Sequence, residues 1–431
     1  MEPPATSSAG AWCPRVPGPT PKGAAHKMTF EELCIFEVLY DAYLTARRGK
    51  RKKSSTAQYE AQALACTDRL VHLLISGQYR PGKFETFEVF EPKRRLVQAP
   101  AFVDKVVQHA LVDNILYEVI TRSFIEYNYA SQVWKGMHFG LTHLERQMRD
   151  YFLKRKGHDE AERRAAGLPY RPREEWDYAQ GWVLKADVRH FFASIDHDLL
   201  KEKLARKIED PRVYDLMCTY IDSTDGLPLG YQTSQLLALL FLDEFDHWVK
   251  EKLHAKYYGR YMDDFYIISD SKEYLQDCWR QITGRMDALK LELNEKTAIF
   301  PLRNGINFLG FHTYLDNGGA VIMKLRQDSL DRMKARTRGW RQDKEAGTLD
   351  VDRTVNRWRA WDAHAAHGDT FELRKQVAAI VSEITGVTCE ARKPIRAGKY
   401  DKAKDAVRKV NRQRRRPPAP AQQKVPTGFP W

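Results

Sequence analysis

Tyr257-Tyr258-Gly259-Arg260-Tyr261-Met262-Asp263-Asp264-Phe265-Tyr266-Ile267-Ile268-Ser269 sets two adjacent carboxylates between two runs of aromatic and β-branched residues. Runs of Tyr, Phe and Ile bounded by polar residues read as strands, so the stretch predicts a hairpin with Asp263 and Asp264 at its tip. Neighbouring carboxylates repel each other, and a fold that holds them together normally holds cations too. A lone Asp-Asp pair is ordinarily a solvated turn, so the rest of the chain has to decide.

Upstream, Gly181-Trp182-Val183-Leu184-Lys185-Ala186-Asp187 reads as a buried strand ending in an acid. An acid in that place usually caps a helix, but Asp196 is better placed to cap the helix expected from His197, which leaves Asp187 without a structural role. Between the two acidic sites, Gly226-Leu227-Pro228-Leu229-Gly230-Tyr231-Gln232-Thr233-Ser234-Gln235 is a turn-rich loop opening an apolar helix, Leu236 to about Leu253. Backbone N–H groups at such a start favour phosphate or a base edge. Downstream, Tyr274 to Leu291 reads as a helix, Lys296 follows in a turn, and Gly305–Phe311 is a tight apolar hairpin.

Charge adds a partner class. The 431 residues carry a net +13, a balance that favours a polyanion such as nucleic acid or an anionic surface. Residues 391–431 hold thirteen Lys and Arg against two Asp; of the +13 total, +11 sits in that tail and +2 remains for residues 1–390. The six cysteines form no CxxC pair and fit reduced thiols rather than disulfides or a zinc site. No signal peptide or membrane-length apolar run is visible, so a cytoplasmic protein without a membrane partner is expected.

Residues 1–26, rich in Pro, Ala, Gly and Ser, read as a disordered tail, and order is expected from a capped helix start at Thr29. Arg47-Arg48-Gly49-Lys50-Arg51-Lys52-Lys53 is either a solvated loop or a phosphate-contacting patch. Residues 57–78 read as a helix and Phe84–Phe90 as a half-buried strand, followed by a basic turn with Lys93 and Arg95. A helix from about Gly140 to Phe152 precedes a charged stretch, 153–176, read as a surface excursion; residues 324–385 look helical, and a basic, Pro-rich disordered tail closes the chain.

The order of strand-Asp187, Gly-rich loop with Ser-Gln, strand-YMDD-strand, Lys296 and Gly-hairpin resembles the palm of a reverse transcriptase, over roughly residues 30–385. The resemblance implies an α+β, right-hand polymerase fold: fingers at 27–180 with the charged insertion 153–176, a palm of antiparallel sheet plus helices at 181–315, and a helical thumb at 316–388. Tails of 1–26 and 389–431 flank it. It further implies that Asp187, Val188, Asp263 and Asp264 hold two Mg²⁺ ions, with Mn²⁺ able to substitute, and that Lys296 protonates leaving pyrophosphate. Lys93 and Arg95 then contact the incoming dNTP, Phe192 blocks a ribose 2′-hydroxyl, and Leu229, Gly230 and Gln235 line the nucleotide. Phe308, Leu309 and Gly310 form the primer grip. The partners are an RNA template and a DNA or RNA primer.

Within the family, Leu-Pro-Leu-Gly-Tyr-Gln-Thr-Ser-Gln, Phe90-Glu91-Pro92-Lys93, Val107–Leu111 and Trp361–Thr370 resemble the enzymes of diversity-generating retroelements. Those copy a template-repeat RNA with errors at adenines, alongside a small basic accessory protein. Two departures stand out. Tyr129-Ala130-Ser131-Gln132 lacks an arginine common in relatives, so Arg95 or Lys135 is expected to carry its charge; the basic C-terminal tail lies outside the shared core. His364 and His367 read as packing or nucleic-acid contacts rather than metal ligands. Two rival readings remain: an antiphage-defence reverse transcriptase making a defence cDNA, and an inactive RNA-binding scaffold. The three intact acids weigh against the scaffold.

Overall fold

The computed structural model describes residues 28–90 and 94–393. The tail expected at 1–26, most of that at 389–431, and Lys93 lie outside the described residues. The capped helix start expected at Thr29 is present: its hydroxyl accepts from Glu32 N–H while Glu32 accepts from Thr29 N–H at 2.8 Å, a reciprocal cap on the helix Phe30–Leu33.

The helices Phe36–Ala46, Ser54–Ala61 and Ala63–Ile75 lead to an antiparallel ribbon of β1 (Glu85–Val89) and β2 (Arg95–Ala99). The helix Phe102–Leu111 runs back from it, and Met137–Ala165 follows. A four-stranded antiparallel sheet then occupies the centre, in the order β4-β5-β3-β6, from β3 (Trp182–Asp187), β4 (Tyr257–Tyr261), β5 (Asp264–Ser269) and β6 (Ala298–Pro301). A second sheet joins β7 (Ile306–Phe308), β8 (Phe311–Leu315) and β9 (Val321–Leu325). Three helices, Gln327–Glu345, Val351–Ala365 and Phe371–Thr385, complete the described chain.

The central strands are apolar on both faces because both are covered. Leu184, Ala186, Phe265 and Ile267 face the core shared with the N-terminal helices. Val183, Tyr266 and Ile268 face a second core completed by Met148, Tyr151 and Phe308. Asp196 caps the helix His197–Ala205 by accepting from Leu199 N–H at 3.0 Å, as the sequence predicts.

Three expectations shift. Residues 153–165 lie on the surface as expected, but they continue the helix from Met137 beyond Phe152: their charges lie one turn apart and pair, Lys154 with Asp150 at 2.6 Å and Lys156 with Glu160 at 3.5 Å. The helix expected from Leu236 starts at Gln232 and breaks at Leu242 before Asp243–Glu251. And the stretch from Lys324 opens inside β9, not in a helix; its register is set by pairing with β8, a contact absent from local periodicity.

Candidate active site

Asp187 ends β3 directly opposite Asp264, the first residue of β5. Asp264 is in turn opposite Tyr261 on β4, so Met262 and Asp263 form a two-residue turn. Met262 takes a left-handed φ of 56°, a conformation non-glycine residues adopt at a cost. What holds it is Arg260, fully buried with its partner Asp246. Its Nε and Nη2 donate to the Asp246 carboxylate at 2.6 and 2.5 Å, and Nη1 donates to the Met262 carbonyl at 2.6 Å. Val188 N–H donates to the Asp263 carbonyl at 3.3 Å and ties the turn to the end of β3. The Val188 side chain is a buried hydrocarbon with no donor atom, so only its backbone carbonyl could offer a ligand.

The carboxylates show their crowding. Burial, then repulsion from Asp187 and the hydrogen bond they share, pushes the Asp263 carboxyl up to about 6, with Arg95 near enough to oppose the rise. Asp264 is ion-paired with Lys185. Lys185 and Asp187 are two apart on β3 and share a face, the pattern a strand imposes. The ammonium lies 5.3 Å from the Phe308 ring centroid, and burial pushes it down to about 7 against the pull of Asp187 and Asp263. Among the described residues no group of three or more His, Cys, Asp or Glu is arranged as a finished metal site. Asp264 turns to Lys185, while Asp187 and Asp263 face each other. The donor set, oxygen-only and drawn from two adjacent strands, nonetheless suits a hard divalent cation.

The loop at 291–294 closes this end of the sheet. Asn294 N–H donates to the Asp187 carbonyl at 2.7 Å and its amide reaches the Asp187 carboxylate at 3.5 Å. Lys296 is exposed, its N–H donating to Asn294 Oδ1 at 3.1 Å, so Asn294 is the residue of this loop that touches an acid.

Around the acids, Phe191 is the core member of its pair and Phe192 is half-buried, its carbonyl accepting from Leu227 N–H at 2.7 Å. Leu229 is exposed. Gly230 packs against β2: a Cβ there would come 2.0 Å from the Gln98 carbonyl oxygen, so no side chain fits. Gln235 accepts from the Ser131 hydroxyl at 2.8 Å. In the β7–β8 turn Leu309 and Gly310 have φ of 50° and 86°, while Phe308 is buried against Tyr266, 5.1 Å between ring centroids. Lys135 donates to the carbonyls of Ile125 and Asn128 at 3.0 and 3.1 Å, so of these two cations Arg95, exposed and close enough to act on Asp263, is the one that faces the acids. His367 stacks on His138 with centroids 3.4 Å apart, and His364 packs on Phe311.

Lys185, Arg260, Asp246 and Asn294 lie outside the residues that the sequence pattern points to. Lys185 was the readable one: a lysine in an apolar strand, on the face of the terminal acid. The Arg260–Asp246 pair joins a helix to a strand and has no local signature.

The sequence profile described as reverse transcriptase (RNA-dependent DNA polymerase) matches residues 93–313, a span that contains all three acids. The chain belongs to the reverse transcriptase family. Protein YkfC of Escherichia coli (strain K12) is 25% identical over 287 residues, 55% of this chain and 68% of that protein. Among solved structures, apo telomerase from Candida tropicalis overlaps 76% of the chain with a TM-score of 0.42 and 10% identity. Telomerase from Candida albicans, in complex with a TWJ fragment of telomeric RNA, overlaps 75% at a TM-score of 0.41 and 9% identity. The chain spans 59% of the Candida tropicalis protein. This reverse transcriptase family member has a mixed α and antiparallel β architecture, in keeping with a right-hand polymerase. Among its described residues, no helix is long and apolar enough to cross a membrane.

Proposed function

We propose that the chain is an RNA-templated DNA polymerase that extends a primer with dNTPs at Asp187, Asp263 and Asp264, and that it serves a diversity-generating retroelement. The observation that carries the polymerase reading is the register Asp187–Asp264, with Asp263 in the adjoining turn. In this reading residues 27–180 are the fingers, 181–315 the palm and 316–388 the thumb, with the sheet β7–β8–β9 running across the last boundary.

Two Mg²⁺ ions held by these acids would activate the primer 3′-hydroxyl and offset charge on the transferred phosphoryl group. The chain's own residues do the rest. Arg260 keeps the Met262–Asp263 turn in its strained shape, so the carboxylates need not reorganise when substrate arrives. Asn294 holds the Asp187 carboxylate in place. Lys185 is the resident counter-charge that yields Asp264 to a cation. Arg95, close enough to be felt by Asp263, contacts the triphosphate, and Gly230 lets the Leu229 loop lie flat on the same ribbon. Phe192 selects against a 2′-hydroxyl; Lys296, exposed, is the acid for pyrophosphate.

Primer extension on RNA with Mg²⁺ and dNTPs tests the reading. Extension by the wild type and none by Asp263→Asn/Asp264→Asn supports the polymerase; errors clustered opposite template adenines support the retroelement assignment. A wild type that extends nothing, even with cognate RNA and a small basic accessory protein, refutes it.

A further inference from the structure

Trp134 sits where a side chain is costly and does nothing for the fold that can be seen. Its φ is 64°, inside the left-handed region that glycine enters freely and a bulky residue does not. The indole is 47% exposed, and among the described residues it makes no hydrogen bond or ring contact. Nearby Ser131, also at positive φ, differs: its hydroxyl bonds Gln235, which accounts for it.

The backbone carrying the indole is tied down on several sides. Tyr129 N–H donates to the Arg260 carbonyl at 2.9 Å, on the strand that leads into the catalytic turn. Val133 N–H donates to the Tyr117 hydroxyl at 2.6 Å, and Lys135 N–H to the Gln132 carbonyl at 3.0 Å. Just beyond, Gly140 is pressed against Leu309 of the β7–β8 turn; a Cβ there would lie 2.9 Å from it. The segment therefore spans from β4 and the start of the Gln232–Phe241 helix to the β7–β8 turn, and it presents a half-exposed aromatic side chain. Lys135 is committed to carbonyls, so the segment offers a flat π-surface rather than a free charge.

We infer that Trp134 is a stacking platform for an unpaired nucleobase of the strand bound at this site. Every base has a π-face, so such a platform needs no sequence preference, and only a base outside the duplex has that face free. The inference rests on the reverse-transcriptase reading, and the test separates the two.

Full-length wild type, Trp134→Gly and Trp134→Phe are titrated, by fluorescence anisotropy, into labelled RNA template annealed to a DNA primer, once with a single-stranded template overhang and once blunt. On the overhang, Trp134→Gly is expected to bind about 5- to 150-fold more weakly, the loss of one base–aromatic stack, and Trp134→Phe to keep most of the affinity. The slope of affinity against salt stays the same, because no phosphate contact is removed. On blunt duplex the three proteins bind alike. A Trp134→Gly protein that folds and keeps wild-type affinity on the overhang overturns the inference. So does one that melts lower while its folded fraction binds normally, which is what a packing role predicts, or one that loses as much on blunt duplex. Should the glycine variant fail to fold, Trp134→Asn, which also tolerates the left-handed backbone, takes its place. A wild type that binds neither substrate refutes the reverse-transcriptase reading and this inference with it.

Discussion

Asp263→Asn should make the metal-free protein more stable and inactive at once. In the fold, burial and Asp187 raise the Asp263 carboxyl from 3.8 to about 6. A carboxyl that is harder to ionise folded than unfolded costs stability once it ionises, and the sign follows from proton counting. Between pH 4 and 6 the native state holds the proton that the unfolded chain has released, so stability falls as pH rises. The cost is absent below pH 4, grows through that window, and is complete above about pH 6. At about 1.36 kcal/mol per pH unit it reaches about 3 kcal/mol. Some belongs jointly to Asp187, and the buried amide has its own desolvation cost, so about 1–3 kcal/mol should be recovered in the variant. Calorimetry in EDTA at pH 7.5 should then show Tm raised by about 1–4 °C over wild type, with the difference nearly gone at pH 4. Mg²⁺ at about 100 times its Kd adds about 2.7 kcal/mol to the wild type and far less to the variant, which closes or reverses the gap. A variant less stable than wild type in EDTA at pH 7.5, or equally stabilised by Mg²⁺, would refute the reasoning.

Arg260→Met strands Asp246 as a buried charge and leaves the Met262 carbonyl without its donor; urea unfolding should show a loss of about 3–5 kcal/mol, partly recovered by Arg260→Lys. A loss below about 1 kcal/mol would mean the pair is not the anchor. Gly230→Ala must push the loop off the Gln98 carbonyl, since the new Cβ would sit 2.0 Å from it. Overpacking should cost about 1–3 kcal/mol of stability, seen as a lower Tm, together with a rise in the KM for dNTP; an unaltered KM would remove this loop from the nucleotide site. Asn294→Ala frees the Asp187 carboxylate and should raise the Mg²⁺ concentration for half-maximal extension about 10-fold, the usual effect of losing a ligand's hydrogen-bond partner. An unchanged Mg²⁺ dependence would confine Asn294 to holding the backbone.

Much was legible along the chain because the signals are local. The Tyr257–Ser269 hairpin, the Asp196 cap and the Thr29 cap follow from side-chain period and from short-range hydrogen bonding, which need no distant partner. The helix runs past Phe152 through the charged stretch 153–165 for a reason of the same kind. Its composition looks like loop, but charges spaced one turn apart stabilise the helix they seem to break.

By itself the sequence determined that Asp187 ends a strand, that Asp263 and Asp264 lie at the tip of a hairpin, and that a basic turn, a glycine loop and a tight hairpin accompany them. Only the tertiary structure decided that Asp187 stands across from Asp264 and that Lys185 occupies one of the acids. It also placed Asn294 against Asp187, and showed a buried arginine from β4 bracing the turn. Those facts depend on strand register and on side chains meeting across long loops. Their energy resides in desolvated pairs, and a linear pattern of residues does not encode which pairs will meet.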